Sequence, residues 1–196
     1  MSALAQVPSD FLTALSTLRR ANCRSELRLE EIPAPSRLAP YAVALGAEVF
    51  EAVGISERTS SELATGRFIL LHDPDGSALW DGTFRIVTYI RARLEADIGT
   101  DAMLGSVAWT WLVEALETHG ARYRAAGGTA TRILSESYGS LAGRPDAIDI
   151  ELRASWTPET EKMKDHLEAW SDMVCTFAGL PPLPEGVSAL PHRRRS

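Results

Sequence analysis

The chain has few of the residues that mark a secreted, disulfide-bonded or membrane-spanning protein. Its 196 residues include two cysteines, Cys23 and Cys175, which are far apart in sequence and form no CxxC pair. Two such thiols are typical of a reducing compartment, so we expect a cytoplasmic protein. No basic segment precedes an apolar run near the N-terminus, and no run approaches the roughly 20 apolar residues that a membrane-spanning helix needs. We therefore expect neither export nor membrane insertion.

Lysine is also scarce, and positive charge is not in excess. Only Lys162 and Lys164 are lysines, and arginine supplies the other basic side chains. The formal net charge is −6, and the isoelectric point is near 5.3. Proteins that bind nucleic acid through their general charge usually carry the opposite sign. The charge balance therefore argues against nucleic acid as a partner.

The short motifs that hold phosphates, nucleophiles or metal ions are missing too. The sequence contains no glycine-rich phosphate loop, no Walker A pattern and no GxSxG nucleophile elbow. Its four histidines are scattered, without the spacing that places two imidazoles on one helix face. Asp73, Asp75 and Asp81 accompany Pro74, and we interpret them as turn formers rather than cation ligands. We expect no metal and no tightly held cofactor.

What the sequence does contain is the composition of an ordinary globular domain. Hydrophobic residues make up 45% of the chain and charged residues 23%, enough apolar material for one core at this length. No linker divides the sequence, so we expect a single α+β domain over residues 1–196. Residues from about 180 to 196 form a proline-rich strap and a basic tail that ends in Arg193–Arg195.

Hydrophobic periodicity predicts three helices and about five strands. Apolar residues at helical spacing predict a first helix after Ser9 and a second over Asp101–His119. A third is predicted to begin at Thr157, because Pro158 suits the first turn of a helix. Alternating or continuously apolar segments predict strands, and these lie at 66–72, 84–90, 123–137 and 148–156. The strand from residue 123 is expected to bulge at Gly127 and Gly128. Trp156 and Trp170 fall on the inward stripes, which predicts that both are buried core residues.

Residues Tyr41–Phe50 fit either a strand or a helix. As a strand, they place Tyr41, Val43 and Leu45 on one face. As a helix, they would have Pro40 near the start and a destabilising Gly46 in the middle. We favour the strand, while the helix stays open.

The element order that results is α-βββ-α-ββ-α, an antiparallel sheet of about five strands with three helices. A short additional strand at Leu27–Glu30, not counted in this order, lies between the first helix and the Tyr41–Phe50 strand. This order resembles the type III secretion chaperone-like fold, whose members are small dimeric proteins that hold other polypeptides. The resemblance is one of topology and carries no motif. An unrelated antiparallel sheet with helices on one face is the alternative.

Six segments of the sequence are distinctive. They are Leu29-Glu30-Glu31-Ile32-Pro33-Ala34-Pro35, Arg37-Leu38-Ala39-Pro40-Tyr41, Gly66-Arg67-Phe68, Leu71-His72-Asp73-Pro74, Ala154-Ser155-Trp156-Thr157 and Ala178-Gly179-Leu180-Pro181-Pro182-Leu183-Pro184. Through these segments the chain resembles an uncharacterised actinomycete family, domain of unknown function 3000, over nearly its whole length. The resemblance implies no activity, substrate or catalytic residue.

A candidate enzymatic pocket would combine His72, Asp73 and Glu136, since a histidine and a carboxylate can exchange protons. Neighbouring residues on a strand point to opposite faces, however, so His72 and Asp73 pair only if the chain bends. A histidine at a strand end that bonds to a backbone carbonyl is the simpler interpretation. Glu136 is likewise explained as a solvated residue at a strand terminus.

The helix over Asp101–His119 has a wide apolar arc. Leu104, Ala108, Trp111 and Ala115 point one way, whereas Trp109, Val113 and Leu116 lie well round from them. We therefore treat Trp109, Val113 and Leu116 as a candidate homodimer interface. Burial by the other helices of the same chain is the alternative.

Basic and aromatic side chains also cluster on the strand that begins at Tyr123, which raises the possibility of single-stranded nucleic acid. The arginines there, at positions 122, 124 and 132, have Asp149 and Glu151 on the next strand as expected cross-strand partners.

Three classes of function remain: a protein-binding or chaperone-like module, which we favour; a small hydrolase-type enzyme near His72, Asp73 and Glu136; and a nucleic-acid-associated accessory protein. A pocket lined by those three residues would favour the enzyme, and an exposed apolar sheet face would favour the binding module.

Overall fold

The computed structural model describes residues 7–50, 62–94 and 101–182. The helices are α1 (Ser9–Leu18), α2 (Leu104–Thr118) and α3 (Met163–Phe177), with a short 3-10 helix at Gly139–Leu141. The strands are β1 (Leu27–Ile32), β2 (Tyr41–Phe50), β3 (Glu62–Ser77), β4 (Gly82–Leu94), β5 (Tyr123–Ser135) and β6 (Ala147–Pro158). None of the helices in these ranges has the length and hydrophobicity that a membrane-spanning helix requires.

All six strands form one antiparallel sheet in the order β1-β2-β3-β4-β6-β5. The predicted α+β class and helix order are confirmed, with one strand more than the main set of five because β1 pairs with β2. Residues Tyr41–Phe50 are a strand between β1 and β3, as favoured above. Helix α2 connects β4 to β5, and β6 then returns between those two strands.

One face of the sheet is covered by the three helices. Strand residues such as Phe68, Ile86, Ile150 and Trp156 point into this layer and are almost fully buried. Because side chains alternate along a strand, the intervening residues point to the opposite face. Within the described ranges, the sheet therefore has one side covered by helices and one uncovered side.

Helix α3 lies at the centre of the covered side. The Trp170 side chain is fully buried, and its ring centroid is 5.6 Å from that of Phe68. A Cβ atom added to Gly66 on β3 would come within 2.6 Å of the Trp170 ring. Glycine at position 66 therefore lets the indole lie directly on the strand. The burial of Trp156 and Trp170 confirms the prediction that both are core residues.

Two predicted details of β5 and β6 are wrong. Helix α3 begins at Met163 rather than at Thr157, because β6 continues through Pro158, which is opposite Tyr123 on β5. The bulge in β5 falls between Arg124 and Gly127 instead of at the two glycines. The conformation of Ala125 explains the position of this bulge. Ala125 has a φ of 51°, and its carbonyl oxygen accepts a 2.8 Å hydrogen bond from Arg85.

Replacing Trp170 by alanine should lower the free energy of unfolding by about 3–5 kcal/mol, because the cavity left over Gly66 cannot be filled by neighbouring strands. Chemical denaturation followed by circular dichroism measures this. The control is Leu79→Ala, since Leu79 is 90% exposed and its truncation should leave the midpoint unchanged. An unchanged midpoint for Trp170→Ala would contradict the central place of α3.

Candidate functional site

His72 is a core residue near the end of the regular β3–β4 pairing. It is 2% exposed, its Nδ1 atom lies 3.1 Å from the Thr83 carbonyl oxygen, and its ring stacks on Phe84 at a centroid distance of 4.2 Å. These contacts support the interpretation of His72 as a histidine at a strand end that bonds to a backbone carbonyl. The Asp73 carboxylate accepts a 3.1 Å hydrogen bond from the Asp75 backbone N–H, which fits a turn former.

The structure does not bring His72 and Glu136 together. His72 is opposite Phe84, at the end of the sheet where β6 reaches Pro158. Glu136 is exposed and follows Ser135, which is opposite Ala147 at the other end of β6. At about 3.3 Å per strand residue, the length of β6 from Ala147 to Pro158 separates the two side chains by roughly 36 Å or more. His72, Asp73 and Glu136 therefore share no pocket.

The candidate interface on α2 is partly used by the chain itself. Leu116 is only 1% exposed and belongs to the buried stripe of α2, so it is not available to a partner in the folded chain. Trp109 and Val113 are half-buried, and the Trp109 ring lies over Gly128 of β5. On the other flank of the helix, Trp111 packs edge-on against Phe177 at 6.0 Å. The apolar residues of α2 thus line the core with the buried stripe, contact Gly128 of β5 on one flank and contact Phe177 of α3 on the other.

Two histidines near α3 have pKa values displaced in opposite directions. His119 Nε2 is 2.7 Å from an Asp172 carboxylate oxygen, and this hydrogen bond raises the His119 pKa. Burial lowers the pKa of His166 to about 4, where its neutral ring accepts a 3.1 Å hydrogen bond from the Trp156 indole. Among the residues described, no three histidine, cysteine or carboxylate side chains cluster as metal ligands would.

The cysteines are inert thiols. Burial raises the pKa of Cys23 to about 11 and that of Cys175 to about 12. Both stay protonated at neutral pH, and the nucleophile in thiol chemistry is the thiolate. Neither cysteine is therefore suited to catalysis.

The uncovered side of the sheet, here called the open face, is the remaining candidate site. It consists of the outward side chains of the strands, chiefly Ile32, Ala44, Gly46, Glu48, Thr65, Arg67, Ile69, Arg85, Val87, Tyr89, Arg91, Arg93, Asp149, Glu151, Arg153 and Ser155. The strand register places these side chains in rows that run across the sheet.

One of these rows is apolar. Ile32, Ala44, Ile69 and Val87 lie opposite one another on β1, β2, β3 and β4. At about 4.8 Å between neighbouring strands, the row is roughly 14 Å long. The Ile69 and Val87 side chains are half-buried, although α1, α2 and α3 all lie on the other side of the sheet. Together they form an apolar floor.

The next row carries the basic and aromatic side chains. Gly46, Arg67, Tyr89 and Arg153 are opposite one another, and the Arg153 guanidinium lies 5.7 Å from the centre of the Tyr89 ring. A shallow recess of about 450 Å³ is lined by Arg67, Ile69, Val87, Tyr89 and Arg153 of the two rows, and by Thr88 between Val87 and Tyr89. The recess therefore combines apolar surface with two cations.

Carboxylates neutralise part of this face. Glu151 accepts a 2.9 Å hydrogen bond from Tyr89 and lies 3.2 Å from Arg153, and Asp149 is 2.6 Å from Arg91. Burial, followed by the contact with Glu151, raises the pKa of Tyr89. On β2, β3, β4 and β6 the open face has five arginines and three carboxylates, although the whole chain is acidic. Among the described residues, Arg67 makes no ion pair.

The expected pairing of the β5 arginines with Asp149 and Glu151 is wrong. Arg122 instead lies 3.1 Å from Glu159, Arg124 lies 3.0 Å from Asp81, and Arg132 donates a 2.8 Å hydrogen bond to the Asp101 carbonyl. Arg132 is opposite Ile150, which points to the covered side. The carboxylates of β6 point to the open face, where Arg91 reaches them from β4.

At one end the open face is held by Arg85. Its guanidinium donates hydrogen bonds to the Ala125 carbonyl at 2.8 Å, to Ser155 Oγ at 2.7 Å and to Thr157 Oγ1 at 3.0 Å. Burial lowers the Arg85 pKa. Thr157 also donates a hydrogen bond to the Trp80 carbonyl, which ties the β3–β4 hairpin to β6.

Sequence reasoning missed Arg67, Tyr89 and Arg153 as a group. Each occupies an outward position of an alternating strand, which is a signal that the sequence does contain. Their convergence depends on the register of β3, β4 and β6, which local periodicity does not determine.

The fold and its open face define a class: an antiparallel sheet backed by helices, with a mixed basic and apolar face and no assembled catalytic group among the described residues. A family model with the description "Protein of unknown function (DUF3000)" matches residues 7–188, and the chain belongs to this family. No curated protein and no solved structure shows significant similarity to the chain.

The buried neutral His166 makes stability depend on pH. Its pKa of about 4 lies below the ordinary 6.5, so the unfolded chain binds more protons between these values and stability falls as the pH falls. From pH 7.5 to pH 5 the loss should be about 2 kcal/mol. His119 has the opposite sign, because its raised pKa adds stability at low pH that is lost as the pH rises.

Urea unfolding of the wild type and of His166→Gln at several pH values measures this contribution. The glutamine can still accept the Trp156 hydrogen bond but does not titrate, so the difference between the two proteins should shrink as the pH falls. A difference that stays constant from pH 7.5 to pH 5 would show that His166 is not buried in its neutral form.

Proposed function

We propose that the protein is a non-enzymatic, chaperone-like protein-binding module that holds an acidic segment of another polypeptide on its open face. The observation that carries the proposal is the apolar floor of Ile69 and Val87 beside the Arg67 and Arg153 guanidinium groups, on a face that none of the three described helices covers. An enzymatic site finds no comparable support, since His72 and Glu136 lie at opposite ends of the sheet.

Apolar surface explains why this face needs a partner. Ile69 and Val87 are half-buried, and each Å² of their apolar surface that a partner removes from water contributes about 25 cal/mol to the free energy of binding. An apolar patch with a polar rim is the usual form of a protein interaction site. Here Arg91, Asp149 and Glu151 form the rim.

Charge indicates an acidic partner. The open face has an excess of arginine, so a partner segment with carboxylates would lie next to Arg67 and Arg153. Arginine forms bidentate hydrogen bonds with carboxylates and stacks on aromatic rings, and the Arg153–Tyr89 contact leaves guanidinium N–H groups for such a bond.

Nucleic acid fits this face less well than an acidic protein segment. Glu48, Asp149 and Glu151 lie among the arginines and would repel a continuous phosphate backbone. Tyr89 is the one aromatic side chain in the central rows of β2, β3, β4 and β6, whereas single-strand binders present several stacking platforms.

The spacing of the rows suits an amphipathic helix laid across the strands. One helical turn advances about 5.4 Å, close to the roughly 4.8 Å between strands, so apolar side chains one turn apart would meet Ile69 and Val87 in succession. Arg67 and Arg153 are two strands apart, about 10 Å, which matches carboxylates two turns apart. The proposal places this binding in the cytoplasm, where both cysteines stay reduced.

Site-specific photocrosslinking tests the proposal. A photoreactive amino acid replaces Ile69 on the open face, and, as the control, Leu12 on α1, which is 53% exposed. In host cells we expect a protein adduct from position 69 and none from position 12. The crosslinked peptide, identified by mass spectrometry, should be rich in aspartate and glutamate.

The synthetic form of that peptide then provides the quantitative test. Arg67→Glu combined with Arg153→Glu should weaken its binding about tenfold or more in calorimetry, because two attractive contacts become repulsive. Arg37→Glu, which changes an exposed arginine outside the open face, should leave the affinity unchanged. Nucleic acid adducts, equal crosslinking from both positions, or equal affinity of the charge-reversed protein would each reject the proposal.

A further inference from the structure

We propose that a second copy of this chain pairs with the outer edge of β5, in an antiparallel register that places Thr131 opposite Thr131 of the other copy. The two sheets then form one continuous sheet across a twofold axis. This surface is separate from the open face, and the inference does not depend on the proposed function.

The outer edge of β5 is long and uncovered. The strand is terminal in the sheet, and every residue from Arg124 to Arg132 is exposed. From Gly127 to Ser135 its pairing with β6 is regular, so its other backbone groups form a straight edge without a partner among the described residues. Exposed edges of this kind pair with other strands unless charges, prolines or bulges prevent it.

The usual protection against pairing is missing from the middle of this edge. Residues 125–131 contain neither a charged residue nor a proline. The bulge lies at the start of the strand, where Arg85 holds the Ala125 carbonyl inward. By contrast, β1 at the opposite edge has only six residues and carries Arg28, Glu30 and Glu31.

The arginines beside this edge are already engaged within the chain. Arg122 and Arg124 bind Glu159 and Asp81, and Arg132 reaches back to the Asp101 carbonyl at the start of α2. Two copies can therefore approach without bringing unpaired positive charges together.

Self-complementarity selects the second copy and the register. With Thr131 on the twofold axis, Leu134 of one copy lies opposite Gly128 of the other, on the side of the sheet that the helices cover. Leu134 is 61% exposed in the single chain. Above Gly128 lies the half-buried ring of Trp109, which would be 2.8 Å from a Cβ atom at that position. Each Leu134 thus packs beside the partner's Trp109. The twofold axis produces this apolar contact twice in the dimer.

The remaining pairs in this register are compatible. On the open side, Ile133 is opposite Thr129, and the two Thr131 residues face each other, which are favourable cross-strand pairs. Arg132 is opposite Ala130, so no like charges meet. The outer flank of α2, with Trp109 and Val113, then faces the same flank of the second copy. This arrangement keeps two of the three residues that the sequence predicted as an interface, and it leaves out Leu116.

Light scattering coupled to gel filtration measures the oligomeric state of the full chain at tens of micromolar. We expect a mass near twice 21.3 kDa for the wild type. Leu134→Glu should halve this mass while the circular dichroism spectrum stays unchanged, because the side chain is exposed in the single chain. Leu79→Glu is the control and should remain dimeric, since Leu79 is equally apolar and 90% exposed but lies in the β3–β4 turn.

Disulfide formation tests the register. Under mild oxidation, Thr131→Cys should form a disulfide-linked dimer, since opposed residues on paired strands have Cα atoms about 4.5–5.5 Å apart. Thr129→Cys, two residues away on the same side of the strand, should not, because its two copies would be offset by four residues, about 13 Å. The wild type controls for Cys23 and Cys175.

A monomeric wild type would overturn the inference. So would a dimer that Leu134→Glu leaves intact, or crosslinking of Thr129→Cys without crosslinking of Thr131→Cys. Any of these results leaves peptide binding by Arg67 and Arg153 unaffected, so failure here and failure of the proposed function can be told apart.

Discussion

The contact of Trp170 with Gly66 determines how the rest of the molecule is arranged. It holds α3 directly against β3, and α3 in turn contacts both other helices as well as four strands. All three helices are thereby gathered on one side of the sheet. Because the chain has no further helix among its described residues, the opposite side is left to its own side chains.

Much of the open face consists of charged side chains, which are compatible with exposure to water. Arg91 on β4 forms ion pairs with Asp149 and Glu151 on β6, and Arg153 pairs with Glu151 within β6, but ion pairs at a surface contribute little to stability. Their more important effect is to order the rim around the apolar row. Neutralised carboxylates also leave the face with a positive balance inside an acidic protein. The proposed recognition of an acidic segment rests on this balance rather than on any single residue.

The two proposed surfaces use different parts of the same sheet. The open face offers side chains in rows across the strands, whereas β5 offers backbone groups along its outer edge. A continuous sheet of two copies would keep both open faces on the same side, because a twofold axis perpendicular to the sheet does not exchange its faces. Two partner segments could then be held side by side by one dimer.

The period of the apolar residues predicted the fold class, the order of the helices and the burial of Trp156 and Trp170, because this period is a local property of the sequence. The sequence also favoured a hydrogen bond from His72 to a backbone carbonyl, which fits the 3.1 Å contact of Nδ1 with the Thr83 oxygen. Contacts between distant residues emerged only in the folded chain, which separates Glu136 from His72, buries Leu116, and pairs the β6 carboxylates with Arg91 instead of Arg132. Strand order and register depend on contacts between residues distant in the chain, and a shift of one residue would exchange the two faces of a strand.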